Sequence, residues 1–152
     1  MKLHIDISAQ LVWSIANIEA SVAGYSNIHP IHFFLGILKF IDPHFYKRLH
    51  AFGISDGERD DFERISKQIV QYLEMQHADV VRLRRSIRGK LKSKKRAHID
   101  YRLLHRSEDS RNVFELAKKK AIEAGETAFS AIHLTEALFE SECINIESIN
   151  EE

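Results

Sequence analysis

Apolar residues recur at threes and fours along most of this chain, and nowhere do they alternate for long with polar ones. Leu11, Val12, Ile15, Ile18 and Val22 mark the stripe of a first helix, which Asp6 and Ser8 can cap. Phe33, Phe34, Leu35, Ile37 and Leu38 make a second helix apolar almost all round, the signature of an element at the centre of a core. Residues 43–52 read as a short helix ended by Gly53. Phe62, Ile65, Ile69, Leu73, Val80, Leu83 and Ile87 then predict one long amphipathic helix, or two stacked ones, over about 57–91, with Ser55 as its cap. Strand and hairpin signals are absent. The expected fold class is all-α.

The pattern repeats. Ala16, Ala20, Ala23 and Gly24, followed after six residues by Ile31 and His32, return as Ala117, Ala121, Ala124 and Gly125, followed after six residues by Ile132 and His133. The offset is 101 throughout, without a gap; Val12 falls on Val113 and Trp13 on Phe114. This self-similarity predicts two pseudo-symmetric halves. Alanines at i, i+4 and i+7 share a helix face, and their small side chains let a second helix approach closely. Each glycine stands where a helix C-terminus needs a positive φ. Pro30 suits a first helical turn, Ser130 is a good N-cap and His29 a poorer one. Two helical hairpins are expected, 9–23 with 30–41 and 109–124 with 131–140, with all six alanines buried.

At 152 residues and 44% hydrophobic, the chain is expected to form a single domain over 1–152. Repeat one covers about 6–56, a long helix and basic linker about 57–100, and repeat two about 101–152. Net charge is zero, so the whole molecule offers no charge argument for nucleic acid. The lone Cys143 excludes an internal disulfide or a cysteine zinc site. Met1–Ile7 carries no apolar core of signal-peptide type, and the apolar run 33–41 is too short to span a bilayer, so a cytoplasmic protein without membrane contact is the expectation. Charge is nevertheless uneven: eleven of the 22 Lys and Arg lie between Arg82 and Arg106. Arg88, Lys92, Lys94, Lys95 and Arg96 are the candidate polyanion contacts there. The aromatic interleaving of a single-strand platform is missing, Tyr101 standing alone, so nucleic acid is the less favoured partner.

The segments ISAQLVWSIANIEASVAGYSNIHPIHFFLGIL and SEDSRNVFELAKKKAIEAGETAFSAIHLTEALF resemble the Clp N-terminal (Clp repeat) domain that precedes the ATPase modules of Clp-type AAA+ unfoldases. His32, Leu35 and Gly36 keep the family pattern at the start of the second helix, as do His133 and Leu134 in the second half, and Phe52, Gly53, Ile54 and Ser55 echo a third-helix segment. The linker is longer and more basic than the family's, and the second repeat is truncated after Glu140, where the family has about two more helices. No Gly-x-x-x-x-Gly-Lys-Ser/Thr phosphate loop is present, so this chain has no ATPase of the family's kind. The resemblance implies a non-enzymatic domain in ATP-dependent proteolysis or chaperone work, without cofactor. It would dock unfolded protein segments or adaptor proteins and, in a longer chain, contact that chain's ATPase modules. Whether the chain is such a piece or free-standing is open at this point. A free-standing helical module holding a polyanion or nucleic acid on the basic linker is the alternative.

Candidate peptide or adaptor contacts are Ile31, Phe34, Ile132 and Thr135. No catalytic or metal residues are assigned. His29 and His32 lack further ligands nearby, and the equivalent His32 and His133 are expected to share a structural role, such as a buried imidazole bonding a backbone carbonyl. Some family members recognise phosphorylated arginine, and the resemblance places the required carboxylates at Ile31 and Ile132 and the hydroxyls at Asp6 and Ser107. Isoleucine offers a guanidinium no acceptor and Asp6 repels phosphate, so no phosphoarginine binding is expected.

Overall fold

A computed structural model of the chain describes residues 3–46, 53–91 and 103–150. The described residues are mostly helical, and the all-α class holds. Helix α1 (Ile7–Val22) and α2 (Pro30–Phe40) form the first hairpin, and α6 (Glu108–Glu123) and α7 (Ala131–Glu140) the second. Short α3 (Pro43–Tyr46), long α4 (Asp56–Met75) and α5 (Val80–Lys90) lie between them, and α8 (Ile146–Asn150) follows. Helices α1 and α6 are both sixteen residues long and start 101 positions apart, as do α2 and α7. The remainder of the short helix expected over 43–52, and the core of the basic linker, lie outside the described residues.

Strands do occur, contrary to the sequence reading, although each is two residues long and so cannot show alternation. β1 (His4–Ile5) leads into α1 and pairs in parallel with β4 (Ala128–Phe129), which leads into α7. β3 (His105–Arg106) leads into α6 and pairs with β2 (Asn27–Ile28), which leads into α2. Both pairs therefore cross between the hairpins. The N–H of Asp6 donates to the Phe129 carbonyl and that of Ser107 to the Ile28 carbonyl, each at 2.9 Å.

Caps set the helix boundaries. Asp6 accepts from the Ser8 N–H at the start of α1, and Ser107 from that of Ser110 at the start of α6. Ser55 and Glu58 make a reciprocal capping box on α4, and Asp79 caps α5 through the Arg82 N–H. Between 57 and 91 there are two helices: His77 adopts φ 58° after α4, and Asp79 restarts the chain. Gly24 and Gly125, at φ 86° and 74°, close α1 and α6, with the N–H groups of Tyr25 and Glu126 reaching back to the Ala20 and Ala121 carbonyls.

The core forms where α1 crosses α2. Ala9, Val12, Ala16 and Ala20 are fully buried there, and a Cβ on Gly36 would stand 2.8 Å from the Val12 carbonyl oxygen. That approach admits only small side chains. Of the expected stripe only Val12 is fully buried: Leu11 and Ile15 are half-buried, and Ile18 and Val22 are exposed. Ala16, Ala20, Ala117 and Ala121 are buried as expected, but Ala23 is only half-buried and Ala124 is exposed, because both are C-caps beyond the packed face. Trp13 and Phe114, equivalent at offset 101, stack edge to face at 4.9 Å between the hairpins, with Phe33 and Phe129 beside Phe114. The Arg106 guanidinium lies 4.6 Å from both the Trp13 and Phe114 ring centres, and burial, then the neighbouring Arg111, lowers its pKa.

Gly36→Ala should lower stability by about 1–3 kcal/mol, because the new methyl meets a backbone carbonyl that cannot turn away. Denaturant unfolding checks it, and an unchanged midpoint would contradict the close helix crossing.

Candidate functional site

Each hairpin presents its loop at the surface, leading into a largely buried first turn of its second helix, and both ends are built alike. In α2 the Nδ1 of His32 accepts the His29 backbone N–H at 2.9 Å; in α7 the Nδ1 of His133 accepts the Ser130 N–H at 2.9 Å. The imidazoles thus share a structural role, with a correction to the expected bond: they accept from a backbone amide rather than binding a carbonyl. Accepting at Nδ1 places the proton of the neutral ring on Nε2. In His32 that N–H is fully buried without a hydrogen-bond partner and lies beside the Tyr25 ring, 4.5 Å between centroids and edge to face. At the equivalent place in α7 the His133 Nε2 lies 3.8 Å from Glu126, which stands at Tyr25's position plus 101.

The four expected contact residues divide. Ile31 and Ile132 are half-buried in the first turns of α2 and α7 and pack against the core. Phe34 and Thr135 are fully buried and do not offer the expected contact: Phe34 packs on Phe139, and the Thr135 hydroxyl donates to the Ala131 carbonyl at 2.8 Å. Ile132 lines a cleft of about 310 Å³ together with Asp6, Arg64, Glu126 and Ser130. Asp6 thus faces the same space as Ile132, where it and Glu126 oppose an anion and Arg64 attracts one.

Of the expected polyanion contacts, Arg88 is exposed and stands 3.8 Å from Glu19. Lys92, Lys94, Lys95 and Arg96 lie outside the described residues. Helix α5 carries Arg82, Arg84, Arg85, Arg88 and Lys90 and no acidic residue. Arg84 binds Asp42; burial pushes that carboxyl up, but the His44 backbone N–H and the Arg84 guanidinium outweigh it and hold its pKa below the ordinary value.

A feature the sequence reading missed is an ion pair of inverted sign. Lys39 of α2 binds Glu19 of α1, while Lys120 of α6 binds Glu140 just at the end of α7. The positions correspond at offset 101, Glu19 with Lys120 and Lys39 with Glu140. The hydrogen bond to Glu140 holds the Lys120 pKa above its ordinary value. The swap was visible in the sequence, but only pairing across the hairpin gives it meaning. Among the described residues no three His, Cys, Asp or Glu side chains gather as they would around a metal ion, and Cys143 is an exposed free thiol. No helix of the described residues is long and apolar enough to cross a membrane. No family model matches this sequence, and neither does any curated protein.

Burial holds the His32 pKa down, from 6.5 to about 4, with His29 adding to the effect. The folded state therefore binds fewer protons than the unfolded one between these values. Stability from this group is present above pH 6.5, falls as the pH drops toward 4, and changes no further below; the span is worth about 3 kcal/mol. His32→Gln, which keeps an acceptor at the third helical position without titrating there, should remove that part of the pH dependence. Denaturant melts from pH 7 to pH 4 compare the two proteins, and equal slopes would contradict the buried neutral ring.

Proposed function

We propose that this chain comprises two Clp-type repeats and acts as a non-enzymatic docking domain of a Clp-type ATP-dependent unfoldase or protease, in the cytoplasm, receiving unfolded segments or adaptor proteins. The observation that carries the reading is the equivalence of the hairpins: at one constant offset each has an alanine-faced first helix, a left-handed glycine, and a second helix opened by a buried histidine cap. These are the positions at which the sequence resembles the family. The half-buried Ile31 and Ile132, each at the start of a second helix and beside a rigid core, suit reversible contact with an apolar segment. Hydrolysis would be supplied by ATPase modules elsewhere, the chain having no phosphate loop.

Helix α5, with five cations and no acidic residue of its own, favours one alternative, a module that binds a polyanion or nucleic acid. Fluorescence anisotropy separates the two. A permanently unfolded, reduced model protein should bind with little dependence on salt, whereas a single-stranded oligonucleotide should bind weakly even at low salt. Tight oligonucleotide binding at physiological salt, with none of the unfolded protein, would replace the docking reading by the alternative.

A further inference from the structure

The outer face of α1 is more apolar than its packing requires. The helix buries its small residues, and Ile15, Ile18 and Val22 are left on the other side, with Ile18 47% exposed. Ile15 and Ile18 line a groove of about 370 Å³ with Phe45, and its opposite wall is α5 with Arg84 and Arg88. Lys39 completes the rim. Two carboxylates face these cations: Glu19, which serves both Lys39 and Arg88, and Asp42, which serves Arg84. Three fixed positive charges thus stand over two negative ones. Arg88 is the least satisfied, half-exposed and 3.8 Å from a carboxylate that Lys39 already occupies. His44 lines the same rim.

The second hairpin supplies an internal comparison. At offset 101 Ile18 becomes Lys119, Val22 becomes Glu123, and the Glu19–Lys39 pair is reversed. Ile15 keeps an aliphatic counterpart in the half-buried Leu116, so a hairpin of this geometry forms without aliphatic side chains at the positions of Ile18 and Val22. The exposed Ile18 therefore belongs to the first hairpin alone and is not a requirement of helix packing.

We propose that the groove between α1 and α5 docks a short acidic, aliphatic segment of a partner protein, its carboxylate taken by Arg88 and its aliphatic side chains laid on Ile15 and Ile18. The inference rests on the docking reading above and assigns that reading a surface and a partner chemistry. Charge complementarity selects the acidic partner. The groove fits a protein segment better than a nucleic acid, because each of its three cations already faces a carboxylate and Phe45, half-buried, is its one aromatic beside Ile15 and Ile18.

The test uses a fluorescent synthetic peptide in which glutamates alternate with leucine pairs at helical spacing, the same peptide with lysine for glutamate, and a single-stranded oligonucleotide. The whole chain should bind the acidic peptide and not the lysine peptide. Ile18→Ser and Arg88→Glu should each weaken acidic-peptide binding by about tenfold or more, while Ile122→Ser, on the exposed face of α6, should leave it unchanged. Both critical positions are partly solvent-exposed, and unchanged thermal melts would show that the variants fold. Arg88→Glu should in turn gain affinity for the lysine peptide. The proposal is overturned if the acidic peptide fails to bind, if it binds both variants as well as the native chain, or if the oligonucleotide competes for Arg88 more tightly than the peptide. Unfolded-protein binding that persists when the acidic peptide does not bind would remove this groove and leave the docking reading intact. Loss of unfolded-protein binding in the native chain would remove the docking reading itself.

Discussion

Asp6 and Ser107 each begin the first helix of one hairpin while giving their backbone N–H to a carbonyl of the other. Those two bonds, with the parallel bridges beside them, decide how the rest of the chain is arranged. The turn that starts α1 is held by the strand that starts α7, and the turn that starts α6 by the strand that starts α2. Side chains reinforce the crossing. The Ser8 hydroxyl accepts the Ala131 N–H, and the Ser110 hydroxyl donates to the Ile28 carbonyl. Backbone groups that would otherwise be unpaired at four helix starts are satisfied only when both hairpins are present. Trp13, Phe33, Phe114 and Phe129 then fill the space between them.

From this frame the two surfaces diverge. The hairpins share a backbone plan, a glycine stop and a histidine cap, and they differ in what they show to solvent. The first sets an aliphatic face against the cationic α5. The second carries Lys119, Glu123 and the reversed ion pair, with Tyr72 of α4 near Glu136 and Glu140. Burial first, and then those two glutamates, raise the Tyr72 pKa. A zero net charge thus conceals different arrangements of charge at the two hairpins.

Much of the plan was legible in the chain because the constant offset fixes equivalent positions before any helix is located. The alanine faces, the glycine stops and the kinship of His32 and His133 followed from it. The outer and inner faces of α1 were not distinguishable by periodicity, since Ala9, Val12, Ala16 and Ala20 and Leu11, Ile15, Ile18 and Val22 both recur at helical spacing. The alanine spacing and the aliphatic stripe each point to a buried face; the Gly36 approach to Val12 decides for the smaller set. Their place in the helix suggests Phe34 and Thr135 as contacts, but both are fully buried. The break between α4 and α5 carries no glycine or proline, and Asp79 was its one local signal. Two-residue strands leave no pattern, and the sense of the histidine bond depends on which backbone group lies within reach.

If the crossed strands lock the hairpins together, neither can open without the other. Native-state hydrogen exchange at the amides of Asp6 and Ser107 tests this most directly. The account predicts that both exchange only through global unfolding, with the same free energy and the same denaturant dependence. Exchange of one amide at a markedly lower free energy than the other, with one hairpin opening alone, would contradict it.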